Sequence, residues 1–166
     1  MEANRGRHRL IVAMLALITA AVVLATAAPA RSTEDAELTW GRFEMFSAGE
    51  ELGFDVRGAA LMVRAPAGGG KTVALVRVRG LDAEYPTYPT HVHNAPCAGG
   101  GGGHYQHEMG GAVDAVNEIW PTVSSNGAGR GRGFAVHGNW ARPDAQSIVI
   151  HDPGDTSIRL ACADLR

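Results

Sequence analysis

The segment Thr72–Arg79 alternates: Ala74, Val76 and Val78 fall on one face of an extended chain, and Leu75, Arg77 and Arg79 on the other. Successive side chains of a strand point to opposite faces, so period two predicts a strand. The run follows the turn signal Pro66-Ala67-Gly68-Gly69-Gly70-Lys71, and another short apolar run, Ala60–Arg64, precedes that turn. Together they predict a β-hairpin. Leu38–Phe46 is loosely strand-like. Gly131–Trp140 and Ser147–His151 read as two more strands around a turn at Arg142-Pro143-Asp144, and Arg159–Ala163 as a short last one. No stretch after Ala30 sustains a helical period. Short strands with frequent turn signals predict an all-β sandwich or barrel.

The 166 residues suffice for one domain with a real core, not for two. Arg5, Arg7 and Arg9 precede an uncharged apolar run from Leu10 to about Ala28, and Ala25-Thr26-Ala27 and Ala28-Pro29-Ala30 offer small-residue cleavage patterns. That layout predicts a cleaved secretory signal over residues 1–30, a short polar linker over 31–36 and the folded domain over 37–166. The other reading is a retained anchor, since the run is nearly long enough to span a bilayer. The chain is therefore expected outside the cytoplasm, secreted or in the cell envelope or periplasm, with membrane contact only through an uncleaved signal segment. Cleavage would take Lys+Arg from 15 to 12 and Asp+Glu from 17 to 16, a net charge of about −4, which makes no electrostatic case for nucleic acid. The two cysteines, Cys97 and Cys162, are expected to form a disulfide in an exported chain. No association surface is legible.

Ala65–Thr72 fits the loose form of a phosphate-binding loop, but that chemistry needs a helix after the loop to aim backbone N–H groups at phosphate. An alternating strand follows instead, so no nucleotide is expected. Between His93 and Gly133 lies a long Gly-rich, Pro-containing stretch, and loops of that length are usually functional. Histidines gather around it: His91-Val92-His93, an i, i+2 pair with both rings on one face of a strand, then His104 and His107, with His151 at the end of an apolar run. Imidazole suits copper and zinc alike, and an exported chain with such a set is expected to bind a metal. His137 falls on the strand Gly133–Trp140 and is expected at the surface.

The ordered set Arg79-Gly80-Leu81, His91-Val92-His93, Cys97, Gly103-His104, Val149-Ile150-His151 and Arg159-Leu160-Ala161-Cys162 resembles the copper/zinc superoxide dismutases, from about Gly58 to the C-terminus. The resemblance implies an immunoglobulin-like Greek-key β-barrel or sandwich of about eight strands with a long metal-binding loop. It further implies copper on His91, His93, His104 and His151, with His104 as the histidine that bridges copper and zinc in zinc-containing members. Cys97 and Cys162 match the family's disulfide, and Arg159 matches the arginine that attracts superoxide. The implied activity is copper-dependent disproportionation of superoxide to oxygen and hydrogen peroxide, with His104 carrying a proton.

The chain also departs from that pattern. A family zinc site takes the bridging histidine, two more histidines and an aspartate, whereas this loop offers only His107 besides His104. Zinc would have to bind through His104, His107 and a carboxylate such as Glu118. In Asn117-Glu118-Ile119-Trp120-Pro121, Glu118 falls roughly where the zinc aspartate would, and the alternative is that it accepts a hydrogen bond from His104 and does zinc's orienting work. Only Asp152–Ile158 separate His151 from Arg159, against a long charged loop in zinc-containing members. Asp155 keeps the spacing of the aspartate that links the histidines of the two metal sites. The short loop and broken zinc set resemble copper-only members. A copper-binding module without turnover, for storage, delivery or sensing, is the rival reading, and Arg159 is what separates the two.

Overall fold

The computed structural model describes residues 35–66 and 70–166. The expected signal segment, linker residues 31–34 and the tip of the Gly-rich turn lie outside the described residues. Nine antiparallel strands make up nearly all of the regular structure: β1 (Glu37–Met45), β2 (Arg57–Ala65), β3 (Lys71–Arg79), β4 (Thr87–Tyr88), β5 (Thr90–His93), β6 (Val123–Ser125), β7 (Arg130–His137), β8 (Ser147–His151) and β9 (Arg159–Asp164). One five-residue helix, α1 (Ser47–Glu51), and a 3₁₀ turn at Cys97–Gly99 complete the regular elements among the described residues.

The hairpin predicted from the alternation is β2–β3, paired in unbroken register from Arg57↔Arg79 to Ala65↔Lys71. Thr72, Ala74, Val76 and Val78 are buried on β3, while Lys71, Leu75, Arg77 and Arg79 are exposed. The inward side chains meet Met62, Ile148, Ile150 and Leu160 in one core.

Strand order is β4-β6-β7-β3-β2-β1-β9-β8-β5. The two edge strands, β4 and β5, are separated in the chain only by Pro89, so covalent continuity brings the edges of the sheet together and curls it into a nearly closed barrel. β1 makes the corner. Its first six residues pair with β2 and its last three with β9. Gly41 sits where the switch occurs, and a Cβ there would meet the Asp164 carbonyl oxygen at 1.8 Å, so only glycine permits this approach.

The β7–β8 connection is held from inside. Arg64, 3 % exposed, donates to the carbonyls of Ala141 (2.8 Å) and Ala145 (3.2 Å) and pairs with Glu37. That connection in turn reaches the edge strand, where Gln146 N–H donates to the His93 carbonyl at 2.9 Å.

Candidate metal centre

β5 ends the sheet, so one of its edges has no strand partner, and an unpaired buried edge needs its backbone groups satisfied. The long loop supplies them. Asn94 N–H donates to Gly103 O, Tyr105 N–H to Val92 O, and Val92 N–H to Ile119 O, at 2.8–2.9 Å. This pairing seats His104 opposite His93. On the other side β8 pairs with β5 through Thr90↔Ile150 and His93↔Ser147. A register shift after Ile150 then turns His151, whose N–H donates to Pro89 O at 2.8 Å. Four histidines from three segments thus converge.

In this cluster each of His91, His93, His104 and His151 offers a ring nitrogen, and all four nitrogens lie within 4.8 Å of one another. The outer nitrogens are engaged by acceptors. His104 Nδ1 donates to Glu118 Oε2 at 2.7 Å, His151 Nδ1 to Thr156 O at 2.7 Å, and His93 Nδ1 makes a longer contact of 3.4 Å with Gly102 O. An acceptor on Nδ1 places the proton there and leaves Nε2 with a lone pair. Nε2 of His93 and Nε2 of His151 face each other at 3.2 Å, an arrangement that a shared cation satisfies and two lone pairs do not. His91 differs: its buried Nδ1 has no hydrogen-bond partner. One orphaned Nδ1 and three Nε2 atoms form a donor set that fits a single borderline metal such as copper or zinc.

Burial first, then the neighbouring histidines, pushes His91 down to about 3. His93 is pushed down to about 3 by burial, His104, His151 and Arg159. His151 goes to about 4, chiefly through burial. Neutral imidazole is the metal-binding form, so the pocket keeps these rings in it well below neutral pH.

Glu118 is 1 % exposed and takes three donors: His104 Nδ1, Trp120 Nε1 at 2.8 Å and Gln106 Nε2 at 3.2 Å. Gln106 and Trp120 were not singled out in the sequence. Trp120 also lays its ring edge against His91, with centroids 5.5 Å apart. Its place two residues after Glu118 is the one local cue to its role.

His107 is not brought to this cluster. Its ring lies beside that of His137, centroids 5.7 Å apart, so the zinc set His104, His107 and Glu118 does not assemble among the described residues. His137 itself corrects the surface expectation: it is 2 % exposed and donates from Nε2 to Val116 O at 2.8 Å. The parity of β7 shows why. Arg130, Arg132, Phe134 and Val136 point outward and Gly131, Gly133 and His137 inward. Asp155 also stays apart, exposed and accepting from the Ser157 N–H and hydroxyl. It closes the short β8–β9 turn, where Ile158 N–H donates to its carbonyl, and that use keeps its carboxylate off the histidines.

Arg159, half-buried, donates to the carbonyls of Gly100 and Gly102. Gly101 between them has φ +83° and would place a Cβ 3.0 Å from Val149 and 3.4 Å from His93 Nδ1. The Cys97–Cys162 disulfide is formed and ties the start of this Gly-rich segment to β9.

No protein-family model and no curated protein matches the chain. Among solved structures, superoxide dismutase 5 of Candida albicans, in a glutamate-to-glutamine variant, is similar with a TM-score of 0.50 and 19 % identity, over 78 % of this chain and 90 % of that one. At that identity the likeness is one of fold: a superoxide-dismutase-like β-barrel, carrying here a histidine cluster able to hold a metal.

Proposed function

We propose that this chain is an exported, copper-dependent superoxide dismutase with a single metal site. The observation that carries the reading is the four-histidine cluster, its ring nitrogens within 4.8 Å of one another beside an arginine tied to two backbone carbonyls, on a barrel of this fold. Bound copper would supply the electron chemistry, oxidising one superoxide to oxygen and, in its reduced state, reducing a second to hydrogen peroxide with uptake of two protons.

The chain's own residues do the rest. Arg159 is anchored by two backbone carbonyls, so its charge stays beside the cluster and draws in an anion. Glu118 holds His104 through Nδ1, so that if His104 leaves copper in the reduced state its Nε2 would be free to carry one proton to the product. Because His107 is turned to His137, Glu118 rather than zinc sets the His104 tautomer in this reading. Residues 1–30 would be the cleaved export signal.

Copper and zinc per chain, measured by elemental analysis on purified protein, should come out at one and none. Copper-loaded protein should accelerate superoxide decay, and His93→Ala should abolish the acceleration. Arg159→Ala should slow it about tenfold and flatten its fall with salt. Tight copper binding without turnover would assign the chain to copper storage, delivery or sensing instead.

A further inference from the structure

The outer face of β1, β2, β3 and β7 is built in two halves. Register aligns Trp40, Leu61, Leu75 and Phe134 in one row across the four strands, and Leu38, Val63, Val73 and Val136 in the next. Trp40 is 51 % exposed and Phe134 61 %. Single exposed apolar residues are ordinary, but a contiguous block of two rows is a binding surface. The same strands then turn cationic: Arg42, Arg77 and Arg132 share the following row with Ala59, and Arg57, Arg79 and Arg130 the one after.

All six arginines are exposed. Arg57 pairs with Asp55; the other five make no ion pair among the described residues. Like charges directly opposite on paired strands destabilise a sheet, and Arg77–Arg132, Arg57–Arg79 and Arg79–Arg130 are all such pairs. A shallow groove runs among these side chains, floored by Gly58 and Ala59. An anion would relieve the repulsion in its cationic half, and a dry partner would cover the other.

We propose that this face docks on an anionic phospholipid surface, with headgroup phosphates among the arginines and Trp40, Phe134 and their row neighbours in the outer acyl region. Aromatic side chains favour that interface, and juxtaposed arginines add the electrostatic half of the affinity. A second copy using the same face would bring no carboxylate to the arginines, since none of these rows carries one. This inference rests on the export reading proposed above, which would carry the folded domain across a membrane and so bring such a surface within its reach. β5 and β8, which carry His91, His93 and His151, are not among the four docking strands, and the histidine cluster is left free.

The test uses the protein as the cell releases it, its first residue fixed by mass, with vesicles of phosphatidylcholine alone or mixed with phosphatidylglycerol. Sedimentation with the anionic vesicles, little with neutral ones, and release by salt are expected. Arg77→Ser with Arg132→Ser should weaken binding about 30-fold, at about fivefold per arginine, and Trp40→Ser with Phe134→Ser should weaken it as well. Circular dichroism and melting temperature confirm that both pairs fold. Equal binding to both vesicles, none at low salt, or no effect of either pair overturns the proposal. So does a dimer that the aromatic pair splits without any vesicle binding, or retention on polyglutamate in preference to anionic vesicles.

Discussion

Replacing the crosslink, with Cys97→Ser and Cys162→Ala, separates what the disulfide does for the unfolded chain from what it does for the site. The two residues are 65 apart in sequence. Releasing a loop of that length returns conformational freedom to the unfolded ensemble worth about 4 kcal/mol at 25 °C in the chain-entropy model. In the native state the same segment keeps other ties: Cys97 N–H donates to Asp164 Oδ1 at 2.7 Å, and Arg159 holds Gly100 and Gly102. The loss should therefore fall on the unfolded side. Urea denaturation of metal-free wild type and variant, followed by tryptophan fluorescence, should show a loss of about 4 kcal/mol and a larger m-value, since an uncrosslinked chain exposes more surface. Copper(II) binding at low denaturant should change little. A loss below about 1 kcal/mol with an unchanged m-value would refute the entropic account. A variant that keeps its stability and loses copper would show that the disulfide positions the loop rather than limiting the unfolded chain.

Glu118→Ala should leave the half-buried His104 and Trp120 N–H groups unpaired, at no more than about 1–3 kcal/mol each, while Glu118→Gln keeps an acceptor and should lose less; thermal melts and the His104 ring ¹⁵N shifts distinguish them. Gly101→Ala should cost about 1–2 kcal/mol for the left-handed backbone alone, and the crowding of His93 should also weaken copper binding, read by titration. In the metal-free protein, His91, His93 and His151 resist protons that the unfolded chain accepts near pH 6.5. Stability should then be level above that pH and fall as pH drops through 6.5 toward 4, by at most about 1.4 kcal/mol per pH unit per histidine before solvent screening. Urea midpoints between pH 7 and 4.5 check the direction, and a rise on acidification would refute it.

The strands that alternate were legible because burial on one face leaves a period-two trace: β3 and the hairpin to β2 follow from Ala74, Val76 and Val78 against Arg77 and Arg79. β4 and β6 leave no such trace, since strands of two and three residues are too short for a period. His137 defeats sequence reading because the inward residues before it on β7 are Gly131, Gly133 and Ala135, which together leave little hydrophobic trace. The histidine cluster was visible as spacing, but Gln106, Trp120 and Thr156 act on it through hydrogen bonds that spacing does not encode. The apolar and arginine rows were invisible for another reason: each strand contributes only one residue to a row, so the pattern exists only after four strands are in register.

The same topology explains why the histidines gather at the seam. A curled sheet whose edge strands are joined through a single proline leaves β5 with one open edge. That edge is finished by a loop, not by a strand, and a Gly-rich loop orders itself only at a large entropic cost. Three ties hold it: the disulfide to β9, the Arg159 side chain from the start of β9, and the backbone pairing of Val92 and Asn94 with Gly103, Tyr105 and Ile119. A metal held jointly by His91 and His93 on β5, His151 on β8 and His104 on the loop would be a fourth, crossing the seam itself. Metal binding should therefore order the loop as well as fill the site. Hydrogen exchange at Gly100–Tyr105 should slow when copper is added to wild type and remain unchanged in His104→Ala.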